Sequence, residues 1–289
     1  MTGATTFVTT LDDAAARALE TKLQEVGYEF RDVANARFAA RGENVNVVLY
    51  ESGKLVVQGK GAQDFRDFRL QEIVGLPEPR LSERTIGADE TGKGDYFGPL
   101  VVVACALSPE EERFLEAAHL VDSKTLADAQ ARNAARTLRE VLPHEAIAIG
   151  PARYNELYES FRNLNTLLAW AHAKAISTLV ERTGCRRVVL DRFCDEKVVR
   201  RALGDLASTL DLEVRPRAED DPAVAAASVI ARAVFLDRLD ALSRRFDIKL
   251  PKGAGPPVLK AGRAFIRRHG KDALRHVAKL HFRTTDQIT

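Results

Sequence analysis

The chain has 289 residues, 45% of them hydrophobic and 29% charged, an ordinary globular composition that excludes a collagen, a wholly disordered chain and a membrane bundle. No apolar run reaches the roughly 18 residues of a spanning helix, and the opening MTGATTFVTTLDD lacks the basic and apolar regions of a secretory leader, so the expected location is the cytoplasm. The net charge of +2 hides an asymmetry: residues 241–289 carry 12 Lys and Arg against 3 Asp and Glu, which points to a polyanion partner.

The length suits one large domain or two unequal ones. Apolar residues at Leu11, Ala14, Ala15, Leu19, Leu23 and Val26 recur at spacings of three and four and predict an amphipathic helix over 11–26. Short strands follow at 36–41, 45–51 and 54–58, separated by the turn signals Arg41-Gly42 and Ser52-Gly53. Together they predict a small α+β domain over 1–78. The stretch LPEPRLSERT at 76–85 reads as a linker, because its prolines cannot continue a helix or a central strand. A second domain is expected over 79–289. In it GPLVVVACAL at 98–107 has the continuous apolar character of a strand covered on both faces, and 145–149 and 186–191 read as further strands. A helix over 165–182 lies between those two. This alternation predicts an α/β domain with a mixed sheet, and helices over 223–243 and 259–280 pack on it. Cys105, Cys185 and Cys194 form no C-x-x-C pair and are expected as buried free thiols.

The densest chemistry lies in TIGADETGKGDYFGPL at 85–100, where a short strand runs into adjacent carboxylates and then three glycines. Gly87 to Lys93 fits G-x-x-x-x-G-K, yet Gly94 stands where a P-loop needs Ser or Thr, and Gly98 and Pro99 forbid the helix such a loop must open. Asp89 and Glu90 instead suit a hard divalent cation, which takes carboxylate and phosphate oxygens. Metal ions would reconcile an acidic centre with a polyanion substrate. Further carboxylates are then expected at strand ends: Asp191, which closes RRVVLD, and one from Glu219, Asp220 and Asp221 ahead of an alanine-rich helix. Each has a plain alternative, since Asp after a strand caps the next helix and acids in a first turn complement its dipole. The six histidines show no ligand spacing beyond an isolated His276–His281 pair and are expected in structural or surface roles.

These segments resemble the type 2 ribonucleases H, and among them most closely the ribonuclease HIII family. The likeness rests on DETGKGDYFGPLVV (89–102), VDSKTL (121–126), YNELY (154–158) with NLNTLLAWAHAKAI (163–176), VVLDRF (188–193), RAE with AVAAASVIAR (up to Arg232) and VAKLHFRTT (277–285). NVVLYESGKLVVQGKG at 46–61 is similar to that family's amino-terminal domain, which folds like the TATA-box-binding protein and helps hold nucleic acid. The resemblance implies an RNase H-like mixed sheet flanked by helices. It implies hydrolysis of the RNA strand of RNA/DNA hybrids with Mg2+ or Mn2+, leaving 5′-phosphate and 3′-hydroxyl ends. Asp89, Glu90, Asp191 and Glu219 would be the catalytic and metal-binding acids, with Asp220 an alternative for the fourth. Gly92, Lys93 and Gly94 would read 2′-hydroxyls, while Lys124 and Lys252 would contact phosphates. A monomer is expected. Two other readings are incision at single ribonucleotides in duplex DNA, as in ribonuclease HII, and a hybrid-binding protein without catalysis.

Overall fold

The computed structural model describes residues 5–11, 13–65, 70, 80–117 and 127–289. The chain separates into two compact units, Met1–Glu78 and Pro79–Thr289. Lys124, the rest of VDSKTL and residues 71–79 of the connecting stretch lie outside the described residues.

In the first unit, strands β1 (Thr5–Thr10), β2 (Glu29–Arg31), β3 (Ala36–Arg41), β4 (Asn46–Tyr50) and β5 (Lys54–Gly59) form one antiparallel sheet in the order β1-β5-β4-β3-β2. Helix α1 (Asp13–Glu25) buries Ala16, Leu19 and Leu23 against Val47, Leu49, Leu55 and Val57. The inward pair on β4 alternates with half-covered neighbours, the period-two pattern of a sheet with one packed face. The helix begins at Asp13 because the Leu11 N–H donates to the Gly53 carbonyl and extends the strand pairing.

The second unit is built on β6 (Thr85–Thr91), β7 (Leu100–Leu107), β8 (His144–Ile149), β9 (Arg187–Asp191) and β10 (Asp211–Arg215), ordered β10-β9-β6-β7-β8. The β6, β7 and β8 strands are antiparallel neighbours, while β9 and β10 run parallel to β6, giving the mixed sheet expected. All of β7 is buried. One face of the sheet is covered by α5 (Leu164–Thr183) and α6 (Glu196–Leu203), the other by α7 (Pro222–Arg245) with α3 (Asp128–Val141) beside it. Among the described residues the other α-helices of this unit are α2 (Pro109–Ala117), α4 (Pro151–Phe161), α8 (Pro256–His269) and α9 (Arg283–Ile288).

The alanines that open α7 let its backbone touch the sheet. A methyl group at Gly87 on β6 would stand 2.1 Å from the Ala223 carbonyl carbon and the Val224 nitrogen, far inside van der Waals contact. The helix expected over 259–280 ends at His269, because Gly270 adopts φ 84° and the chain continues as a 3-10 turn over Asp272–His276. Among the described residues no helix is long and apolar enough to cross a membrane.

Candidate active site

The acids of β6 and β9 meet through strand register. Ala88 faces Leu190 in the parallel pair, so Asp89 and Asp191 are the next residues on two adjacent strands. Ile86, Ala88, Val188 and Leu190 belong to the apolar layer beneath α5. Side chains alternate along a strand, so Asp89 and Asp191 project to the opposite face, the one α7 covers, and Glu90 projects toward α5. The expected short strand ahead of the acids is in fact a strand that contains them, and this places the adjacent carboxylates on two sides of the sheet.

On the α7 face, Asp89 accepts the Glu90 backbone N–H at 2.8 Å and hydrogen-bonds Ser228. Burial, reinforced by the charge of Glu90, pushes the Asp89 carboxyl up to about 6 against the pull of those two bonds. Asp191 Oδ1 accepts the Ala218 N–H at 3.1 Å. Ala218 opens a 3-10 turn, Ala218–Asp220, reached from β10 through Arg217 at φ 57°, and packs with Val189 and Val224. Glu219 is the middle residue of that turn and is partly buried. Asp220 is exposed and paired with Arg215 at 2.5 Å, which holds its carboxyl below the usual range. Asp221 caps α7, accepting the N–H groups of Ala223 at 2.9 Å and Val224 at 3.3 Å.

On the α5 face, Glu90 meets His172 Nε2 at 3.2 Å and Lys93 Nζ at 3.4 Å. Burial opposes its ionisation, yet His172 and Lys93 outweigh it and hold the carboxyl below the usual range. With Glu90 turned that way, no three acids, histidines or cysteines form a ready-made metal-ligand group among the described residues. The donor set nonetheless fits a hard cation. Asp89 is a carboxylate held up by burial and a neighbouring charge, and a bound divalent ion would relieve both.

Residues 92–99 connect β6 to β7 as a turn, so no helix opens after Gly94 and the P-loop geometry is absent. Gly92 holds φ 93°, with the Pro99 carbonyl 2.2 Å from where a Cβ would lie, while Gly94 faces open space. Lys93 rises from this loop with its ammonium 5.7 Å from the centre of the Phe193 ring. The loop is anchored from behind: the Gly253 N–H donates to Asp95 Oδ1 at 2.6 Å, and the Tyr96 N–H to the Gly253 carbonyl at 2.9 Å. Lys252, next to that anchor, lies beside the loop but pairs with Asp128 at 2.6 Å. Tyr96 is fully buried, with its hydroxyl 3.2 Å from Thr285 Oγ1, and so is a support of the loop rather than a surface for a sugar.

Three features escaped the sequence. His172 is buried against Glu90, and the only hint was a histidine inside an alanine-rich helix. Lys279 is fully buried and donates to the carbonyls of Asp95 at 2.8 Å and Gly98 at 2.9 Å; a lysine flanked by Ala278 and Leu280 was the available signal. Asp195 and Glu196 line an open cleft of about 580 Å³ just beyond Asp191. There Asp195 caps α6 by accepting the Lys197 N–H, and Glu196 pairs with Arg200. Cys194 lies in the same cleft and is partly exposed, unlike the buried Cys105 and Cys185, because that cleft opens to solvent.

Known proteins share this chain's sequence and fold. The family described as Ribonuclease HII matches residues 86–285, and a domain of unknown function, DUF3378, matches 6–68. The ribonuclease HIII of Protochlamydia amoebophila is 43% identical, with 98% of this chain and 96% of that protein aligned; that of Chlamydia abortus is 41% identical over 98% and 97%. The crystal structure of Bst-RNase HIII in complex with Mn2+ superposes with a TM-score of 0.67 at 30% identity over 98% of both chains.

Proposed function

The chain belongs to the ribonuclease HIII family, and from that premise we propose that it hydrolyses the RNA strand of RNA/DNA hybrids at Asp89, Glu90, Asp191 and Glu219. The observation that carries the site assignment is the register of β6 and β9, which sets Asp89 beside Asp191 at neighbouring strand ends on one face.

Asp89 and Asp191 are the carboxylates that would hold divalent ions on the α7 face, with Glu90 reaching round the strand end from the other side. Such ions would stabilise charge on the attacking and leaving oxygens of the phosphodiester. The Ala218 N–H orients Asp191, and the same bond ties the turn carrying Glu219 to that carboxylate. Glu219 is partly buried on the turn that Asp191 holds, whereas Asp220 points to solvent and pairs with Arg215, which supports Glu219 as the fourth acid. The exposed backbone at Gly94 and the flanking Gly92 and Lys93 suit contact with 2′-hydroxyls. Lys252 would exchange Asp128 for a phosphate. Both Mg2+ and Mn2+ accept these oxygens; Bst-RNase HIII was crystallised with Mn2+. The protein is read as a monomer acting in the cytoplasm.

The test is cleavage, in Mg2+ and then Mn2+, of a uniform RNA/DNA hybrid and of a DNA duplex holding one ribonucleotide, with Asp191→Asn as the blank. Cutting of the hybrid alone, abolished in the variant, is the expected result. Efficient cutting at the lone ribonucleotide would give the specificity of ribonuclease HII, and no cutting of either would leave a binding protein. Residues 1–78 are proposed as a hybrid-binding module. Their deletion should raise KM for the hybrid far more than it lowers kcat, and an unchanged KM would refute that role.

A further inference from the structure

Glu90 has a separate donor on each carboxylate oxygen. Lys93 meets Oε1 and His172 meets Oε2. The two donors are unlike in stiffness. Lys93 stands on the glycine loop, its side chain 38% exposed on four rotatable bonds, and can leave at little cost. His172 is 1% exposed on α5, the 20-residue helix that packs on this face of the sheet. Its ring stacks on Phe193 with centroids 4.9 Å apart and planes 16° from parallel. Its Nδ1 is buried with no hydrogen-bond partner among the described residues, so the polar contact seen for this side chain is the one to Glu90. A carboxylate accepts only, so Nε2 carries the proton of that bond.

We propose that His172 is a positioning residue for metal binding: held rigid by α5 and Phe193, it fixes Glu90 through Oε2 and leaves Oε1 as the oxygen offered to a divalent cation. This rests on the reading of Glu90 as a ligand. Phe193 follows Asp191 by two residues, so the segment that ends β9 supplies one carboxylate and also the stacking surface that steadies the donor to another. Partners that orient a metal ligand in this way are worth about 10- to 100-fold in metal affinity.

The experiment titrates Mn2+ alone against the full-length wild type, His172→Phe, His172→Asn and His172→Gln, following the rise in thermal midpoint, and then measures kcat and KM for the hybrid. Phe keeps a stacking ring without a donor, Asn is too short to reach Oε2, and Gln places an amide N–H close to the position of Nε2. The expected result is a rise of about 10- to 100-fold in half-saturating Mn2+ for Phe and Asn, most of it recovered with Gln, while KM for the hybrid at saturating metal is unchanged. Wild-type Mn2+ binding in both the Phe and Asn variants overturns the inference alone. A wild type that shows neither a midpoint shift nor cleavage overturns the reading of the site as well.

Discussion

Two acidic groups flank the same face of the sheet and are treated oppositely by the fold. At the start of α7, Asp220 is neutralised by Arg215 and Asp221 is consumed in capping the helix, so both carboxylates already have local partners. At the ends of β6 and β9, Asp89 lies buried beside the like charge of Glu90, and its carboxyl is driven up to about 6. Burial raises Asp221 as well, but its carboxylate is satisfied by the Ala223 and Val224 N–H groups it caps, whereas Asp89 bears its burial beside the like charge of Glu90. The contrast lies in which carboxylates already have local partners, which clustering in the sequence does not reveal.

Substitution tests that contrast directly. Asp89→Asn and Asp191→Asn should lower kcat beyond about 100-fold, more than loss of an outer partner costs, with the fold retained in circular dichroism. Glu219→Gln should fall nearly as far, whereas Asp220→Asn should stay within about twofold and Asp221→Ala should lose about 1 kcal/mol of stability with its cap. If Asp195→Asn or Glu196→Gln is the inactive variant instead, the fourth acid belongs to the cleft after β9 and the division drawn here moves by one loop.

The same distinction applies to a cation. Lys279 is buried on the carbonyls of Asp95 and Gly98, and burial lowers it from the ordinary 10.5 to about 7 against the charge of Asp95. Between those values the unfolded chain binds the proton and the folded one does not, so stability should rise as pH increases from about 7 toward 10. The slope is at most about 1.4 kcal/mol per pH unit. Lys279→Met should flatten this part of a urea-midpoint profile, and a profile that keeps its slope would show that the lysine stays charged in the fold.

Much of the architecture was legible because it is written in local pattern. The buried run of β7, the heptad-like spacing of α1 and the apolar β9 each announce one element through periodicity. β1 was not expected, since TTFVTT carries its strand preference in β-branched threonines rather than in alternating apolar residues. Asp89, Glu90 and Asp191 were legible as strand-end acids, but their assignment to faces was not. That depends on which strands pair in which register, and adjacency in sequence hid that alternation brings Glu90 to the strand end from the opposite face to Asp89. His172 and Lys279 were invisible for a similar reason, because their partners lie 82 residues away, and 184 and 181 residues away.

The last of those separations has a consequence for biogenesis. The β6–β7 pair that carries Asp89 and Glu90 is local and can form as soon as residue 107 is available. The loop between them is held by contacts from far along the chain: the Gly98 N–H donates to the Val277 carbonyl, the Lys279 N–H donates to the Tyr96 carbonyl, and Phe97 bridges to Ala278. Synthesis delivers those partners some 180 residues later, and closing so long a segment is slow. A nascent chain therefore displays Asp89 and Glu90 on β6 well before the loop proposed to recognise ribose can take its shape, and a chain truncated before Val277 is expected to cut no hybrid.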